Sequence, residues 1–306
     1  MIFVYLLIYL FILMHQTRLS VVEMLAPFTN QLHGICLKHA PIYSNSNEIL
    51  QALVCGESLK HANINRLLIA AGLIHIFVVS GSHLHLIANI LKAFSQKSKA
   101  YLIIPLALYC SVCQMNPPVT RAFLIIAVKV GFEHLDIRIS KLNIILISGI
   151  TGLILNPKWS ASLSYQMSWI AAIIITTPHF FSKQSYNLIF NQSLFYASYV
   201  TVYNTLSFPP LIAIVISLVF TPILEYILFP LALLSYFSHS ITDIFIYNFD
   251  TFMNLICKTL EKLELQSTFL TLPTTNSISL NWLFIISLHY FLQQYSVHNK
   301  RKGTFP

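Results

Sequence analysis

Charge is what this chain has least of. Only 9% of its 306 residues are Asp, Glu, Lys or Arg, where a soluble domain normally holds about 25%. With 56% hydrophobic residues and a mean hydropathy of +0.70, this shortfall excludes an ordinary globular core. It predicts an all-α integral membrane protein, a polytopic helical bundle with interrupted or re-entrant helices. Five cysteines do not make a disulfide framework. Cys110 and Cys113 form a CxxC, but it lies inside an apolar run with no second pair, which argues against metal. Cys36 and Cys55 share the one long polar region and can pair if that region faces an oxidising compartment. There is no HExxH motif and no internal repeat. No basic segment precedes the apolar run Ile2–Met14, so that run does not read as a secretory signal.

The little charge present is mostly positive, 18 Lys and Arg against 10 Asp and Glu. On a soluble protein a net +8 would suggest a nucleic-acid partner. In a membrane protein the simpler reading is the bias of Lys and Arg toward cytoplasmic loops. Charge alone therefore identifies no substrate.

Against that background one stretch stands apart, Leu67 to Leu91, LLIAAGLIHIFVVSGSHLHLIANIL. It is long enough to cross a bilayer, which takes roughly 20 residues, yet it carries His75, Ser80, Gly81, Ser82, His83, His85 and Asn89. Polar side chains at membrane depth are costly and usually face protein or a wet cavity. At about 100° per residue, one unbroken helix would gather His75, Ser82, His85 and Asn89 into an arc of about 80°. Ser-Gly-Ser can instead break the helix, which a membrane tolerates only where the freed backbone is buried or wet. Either arrangement points to a cavity or a pathway.

The remaining chain is organised around that stretch. A short first span is expected over 1–14 and a small external polar region of loops and amphipathic pieces over 15–66. A membrane core is expected over 67–237, and further spans with a basic cytoplasmic tail over 238–306. Apolar runs follow at Ala100–Met115, Val119–Phe132, Leu142–Leu155, Leu163–Phe181 and, less clearly, Leu188–Leu206. The run Phe208–Phe237 is cut by Pro209, Pro210, Pro222 and Pro230, so it reads as one crossing or as two half-spans. Placing Lys92, Lys97 and Lys99 inside puts 133–141 and 182–187 inside and 15–66 outside. The tail with Lys300, Arg301 and Lys302 also lands inside if 208–237 crosses an odd number of times.

Several residues invite chemistry. His83 and His85 are two apart, which separates them on a helix, and a zinc site needs three or four ligands; no metal or other cofactor is implied. Ser80 or Ser82 with a base such as His289 would make a membrane-embedded serine hydrolase; the alternative is that Ser and Gly here allow close helix contact. Arg121 follows Pro117 and Pro118 near a span end, where it either snorkels or meets a buried partner or anion. Gln166 and Ser168 suit interhelical hydrogen bonds. Glu225 is a lone charge in an apolar run.

Five segments in order resemble the ComEC competence family. Ala70–Ile87, AAGLIHIFVVSGSHLHLI, is similar to its signature through Gly72, Leu73, His75, Ser80, Gly81 and His83. ALVCGESL resembles a short element ending in Gly56 and the acid Glu57, and PPVTRAFLI resembles one carrying Pro117, Arg121 and Ala122. LNPKWSASLSYQMSWIAAI matches through Pro157, Gln166 and Ser168, and TPILEYILFPLALL through Pro222 and Pro230. Together they cover about residues 50 to 237. The resemblance implies a multi-pass channel in the bacterial inner membrane that passes single-stranded DNA into the cytoplasm in natural transformation, and not an enzyme.

On the same resemblance His75, Ser80, Gly81, His83 and Arg121 would form the DNA pathway, with Gln166, Ser168, Pro222 and Pro230 bracing the helices. Partners would be the DNA strand, membrane lipids and other competence proteins supplying soluble domains, with self-association open. The departures are specific. Region 15–66 is short for the family's OB-like domain, and nothing after Pro306 could be its metallo-β-lactamase-like domain. His85 replaces a usual glycine, Ser82 a leucine, and Ser217 an asparagine. A reduced copy that folds without transporting is the further alternative.

Overall fold

In the computed structural model, the residues described are 20–40, 47–59, 79–94, 99–176, 184–203 and 210–236, with scattered positions between 241 and 295. Among them the regular structure is helical, with no strand. The elements are α1 (Val21–His39), α2 (Asn47–Cys55), α3 (Gly81–Phe94), α4 (Ile103–Val112), α5 (Pro117–His134), α6 (Lys141–Leu155), α7 (Leu163–Ile175), α8 (Gln184–Tyr203), α9 (Pro210–Ile223) and α10 (Phe229–Ser235). A 3-10 turn, Lys99–Leu102, leads into α4, and another, Pro157–Ala161, joins α6 to α7. A π-helical turn, Leu224–Leu228, joins α9 to α10.

The helix ends follow local chemistry. Ser20 and Glu23 form a capping box at the start of α1: the Ser20 hydroxyl accepts from the Glu23 amide at 3.0 Å and the Glu23 carboxylate accepts from the Ser20 amide. That satisfies two of the donors that a helix start leaves open. Ser140 and Ser162 cap α6 and α7 in the same way through their hydroxyls, and Pro117 opens α5, where a missing amide hydrogen costs nothing. After α4 the chain turns through Gln114 and Met115, both with positive φ, and the Met115 amide closes onto the Cys110 carbonyl at 2.9 Å. This is the left-handed ending common at helix C-termini.

Among the described residues two packed groups stand out in the interior. One joins α3, α4 and α5 through Val79, Leu84, Leu106, Val119 and Ala122. The other joins α6 and α7 through Ile145, Leu153, Tyr165, Trp169 and Ile173, with Ile285 and Leu292 added. Glycine lets α6 and α7 approach. A Cβ at Gly149 would collide with the Trp169 indole, and one at Gly152 with the Tyr165 hydroxyl. The Tyr165 hydroxyl instead donates to the Gly149 carbonyl at 2.6 Å.

One end of the bundle is capped. The His33 ring lies 2.9 Å from both the Val112 carbonyl and the Glu57 carboxylate. The Asn116 amide donates to the Gly56 carbonyl, the Gln114 amide donates to Asn30, and Lys158 pairs with Glu23. Gly56, at φ 77°, brings the α2 end so near Cys113 that a Cβ would sit 3.1 Å from the Cys113 Cβ. Cys36 and Cys55 are joined in a disulfide that ties α1 to α2, the pairing that the sequence left conditional. Within the region expected as loops and amphipathic pieces, Val21–His39 and Asn47–Cys55 are helices. Cys55 also contacts the Tyr236 hydroxyl at 3.1 Å, so the segment 210–236 finishes at this capped end.

Two alternatives that the sequence left open are narrowed, and one expectation changes. The central stretch is not one unbroken helix, because Val79 and Ser80 lie outside it and α3 starts at Gly81. The run cut by prolines does not fall into two half-spans. Each proline removes one backbone donor, and the helix absorbs the loss by widening to π register, with the Phe229 amide donating to the Leu224 carbonyl. Among the described residues one helix, Val215–Ser235, is long and apolar enough to cross a membrane. The apolar runs around 103–112, 141–155 and 164–175 fold as shorter helices.

Candidate functional site

The start of α3 concentrates the polar groups of the signature. The Ser80 amide donates to His83 Nδ1 at 3.1 Å, which leaves the proton of that ring on Nε2. His83 is 1% exposed, its ring stacks on Phe229 with centroids 4.1 Å apart, and its Nε2 has no partner. The Ser80 and Ser82 hydroxyls are 2.6 Å apart, and the Glu225 carboxylate lies close to Ser82. Two contacts therefore tie the α3 start to the π turn and α10, one through Ser82 and one through His83. Neither serine hydroxyl bonds a histidine among the described residues. His75 and His289 lie outside the described residues.

Gly81 sets the α3–α5 crossing, since a Cβ there would stand 3.1 Å from the Ala122 Cβ. Beside Ala122, Arg121 is 5% exposed. Its Nε donates to the Ser168 hydroxyl at 2.9 Å, while Nη1 has no partner. Among the described residues no carboxylate pairs with it. A guanidinium five residues into α5 is thus sealed inside and does not snorkel. Gln166, fully buried, donates to the Ser160 carbonyl at 2.8 Å and holds the 3-10 turn on α7.

The polar residues of α3 divide between two faces. Leu84, Ala88 and His83 face the packed interior, while His85 and Asn89 are exposed and Ser82 is partly so. The arc Ser82–His85–Asn89 therefore exists, but it turns away from the packed side. Lys92 continues it at the next helical step, and His85 lies within electrostatic reach of Lys92, Arg121 and Lys129. Ser82, His85, Asn89 and Lys92 thus form a polar lane along α3, and the exposed Lys129 of α5, which pairs with Glu133, is the further cation near it. The partnerships Arg121–Ser168, Ser82–Glu225 and His83–Phe229 join residues too far apart in sequence for spacing to reveal them.

The described residues thus form an α-helical protein with an arginine, a histidine and a glutamine buried in its interior. The chain matches the family model described as Competence protein over residues 53–295, well over half its length, and it belongs to that family. Membership carries a role in competence, the uptake of DNA, and association with a membrane. Comparison with curated proteins and with solved structures gives no match.

Proposed function

We propose that this chain is the membrane core of a conduit that passes single-stranded DNA across the bacterial inner membrane. The observation that carries the reading is Arg121, buried in α5 with no carboxylate partner among the described residues. A polyanion entering a low-dielectric slab needs compensating charge, and single strands are generally held in positively charged grooves. A buried arginine without a carboxylate is expensive to keep; a passing phosphate is a partner of the right charge and geometry. Ser82, His85, Asn89 and Lys92 form the polar lane with Lys129 near it, His83 shapes its entrance, and Gln166 and Ser168 brace α7.

The outer surface supports membrane residence. Ile104 is 69% exposed and Ile175 77%, and Val215, Val219, Tyr226, Ile227 and Leu234 are exposed along the longest apolar helix. That helix, Val215–Ser235, spans about 32 Å at 1.5 Å per residue, which suits a hydrocarbon core of about 30 Å. The capped end, with 20–40, 47–59, Asn116 and Lys158, is the outer side, and Lys92 and Lys141 are inner. In this topology 210–236 starts inside and finishes outside at Cys55, so α8 makes no net crossing. That differs from strict alternation of every apolar run, on which the inside placement of Lys300, Arg301 and Lys302 rested.

The test is uptake of labelled DNA by transformable cells carrying Arg121→Ala or His83→Ala at unchanged membrane abundance. The reading expects loss of uptake, and unchanged uptake in both variants overturns these assignments. A cell that takes up DNA equally well without the chain would leave the non-transporting alternative standing.

A further inference from the structure

Helix α1 has an outward surface that the bundle does not explain. Glu23, Asn30, His33 and Cys36 all touch residues of the capped end, so α1 lies across that end as a bar. At about 100° per residue its side chains fall into three arcs of about 100° each. The first holds Cys36, Thr29, Val22, His33, Ala26 and Leu37, all buried or partly buried. The second holds Asn30, Glu23, Gly34, Pro27, Lys38 and Gln31, exposed except for the partly buried Gly34. The third holds Met24, Ile35, Phe28, Val21, His39, Leu32 and Leu25; Leu32 is partly buried and the others are exposed, Met24 at 70% and Phe28 at 50%.

A helix lying between protein and water needs two faces, and α1 has three. Its polar chemistry is moreover turned partly inward, with Thr29 and His33 buried while five large apolar side chains point out. The polar arc has a further reason to be wet. Pro27 lacks the amide hydrogen that would bond the Glu23 carbonyl, so that carbonyl requires water. The apolar arc meets the reverse condition, since a stripe of this size is rarely left in water. Helix α4, against which α1 packs, also exposes large apolar side chains, Ile104 and Leu108. His39, in the last position of the stripe, turns its Nδ1 back to the Ile35 carbonyl.

We infer that α1 is an interfacial helix, seated along the bilayer surface with Val21, Met24, Leu25, Phe28 and Ile35 in the outer leaflet at the acyl–headgroup boundary. Its second arc faces water and its first faces the bundle end, which suits the geometry of amphipathic helices that lie in the interface. The ligand is the lipid surface itself. This inference rests on the membrane reading above.

The test places nitroxide labels on Met24→Cys, Phe28→Cys, Gln31→Cys and Gly34→Cys, singly, in full-length protein in phosphatidylethanolamine–phosphatidylglycerol vesicles. No reductant is used, so the native disulfide stays closed; Cys110 and Cys113 are buried, and Cys257 is replaced by serine in every variant. Collision with oxygen is expected to exceed collision with a water-soluble nickel chelate at 24 and 28, and the order to reverse at 31 and 34. Nickel preference at 24 and 28 overturns the inference. So does shielding of those labels from both reagents, which would mean that a second copy or another protein covers the stripe. Labels on Leu108→Cys and Val219→Cys separate the two levels: water access there defeats the membrane reading, whereas lipid access there with water access at 24 and 28 defeats only the interfacial helix.

Discussion

Replacing Arg121 by methionine separates a structural arginine from a functional one. The guanidinium is buried, has one hydrogen bond to Ser168 and leaves Nη1 without a partner. Losing a hydrogen bond to a charged group costs about 1.5–3 kcal/mol. Against this, removing an unpaired buried charge relieves a desolvation penalty of several kcal/mol, and apolar replacements of buried ionic groups are often neutral or stabilising by about 1–4 kcal/mol. The freed Ser168 hydroxyl can turn to the carbonyl one helical turn back. The net expectation for Arg121→Met is a fold at least as stable as the native one. DNA uptake should nevertheless fall at least tenfold, because the charge that meets phosphate is gone. Stability is read by thermal unfolding of purified protein in detergent, and uptake by internalised labelled DNA per cell at matched abundance. Unfolding more than about 3 kcal/mol easier, the range for breaking a buried pair, together with recovery of both properties in Arg121→Lys, would refute the reasoning and make the residue a packing element.

Two further outcomes test the fold. Gly149→Ala should destabilise by about 1–3 kcal/mol as the new methyl drives into Trp169, whereas Gly131→Ala, with open space around its Cβ, should gain up to about 1 kcal/mol from helix propensity; equal effects in a denaturant titration would contradict the α6–α7 contact. At the capped end, the hydrogen bond from Lys158 and that from the Ser20 amide hold the Glu23 carboxyl below its usual 4.5. A depressed carboxylate contributes fully above its unfolded value and loses that contribution as it protonates below it. Glu23→Gln should therefore melt lower than the native protein at pH 7, with the gap closing in the pH window below 4.5. A gap that persists at pH 2.5 would show that the pair does not act through its charge.

What the sequence settled alone was composition and order. Scarce charge and apolar runs are one-dimensional properties, and they sufficed for an all-α protein. The ordered segments around Gly81, Arg121, Gln166, Pro222 and Pro230 sufficed for the family. The single polar arc Ser82–His85–Asn89 was also legible, because helical period is a local rule. Local rules stop where the chain turns. That Ser80 precedes the helix rather than sitting in it, and that two prolines yield a π turn rather than a break, depended on neighbours supplying or accepting hydrogen bonds. The pairing of Arg121 with Ser168, of Ser82 with Glu225 and of Cys55 with Cys36 and Tyr236 was decided only by tertiary packing, since contacts between distant residues are set by which helices can approach closely, and here by glycines at 81, 149 and 152.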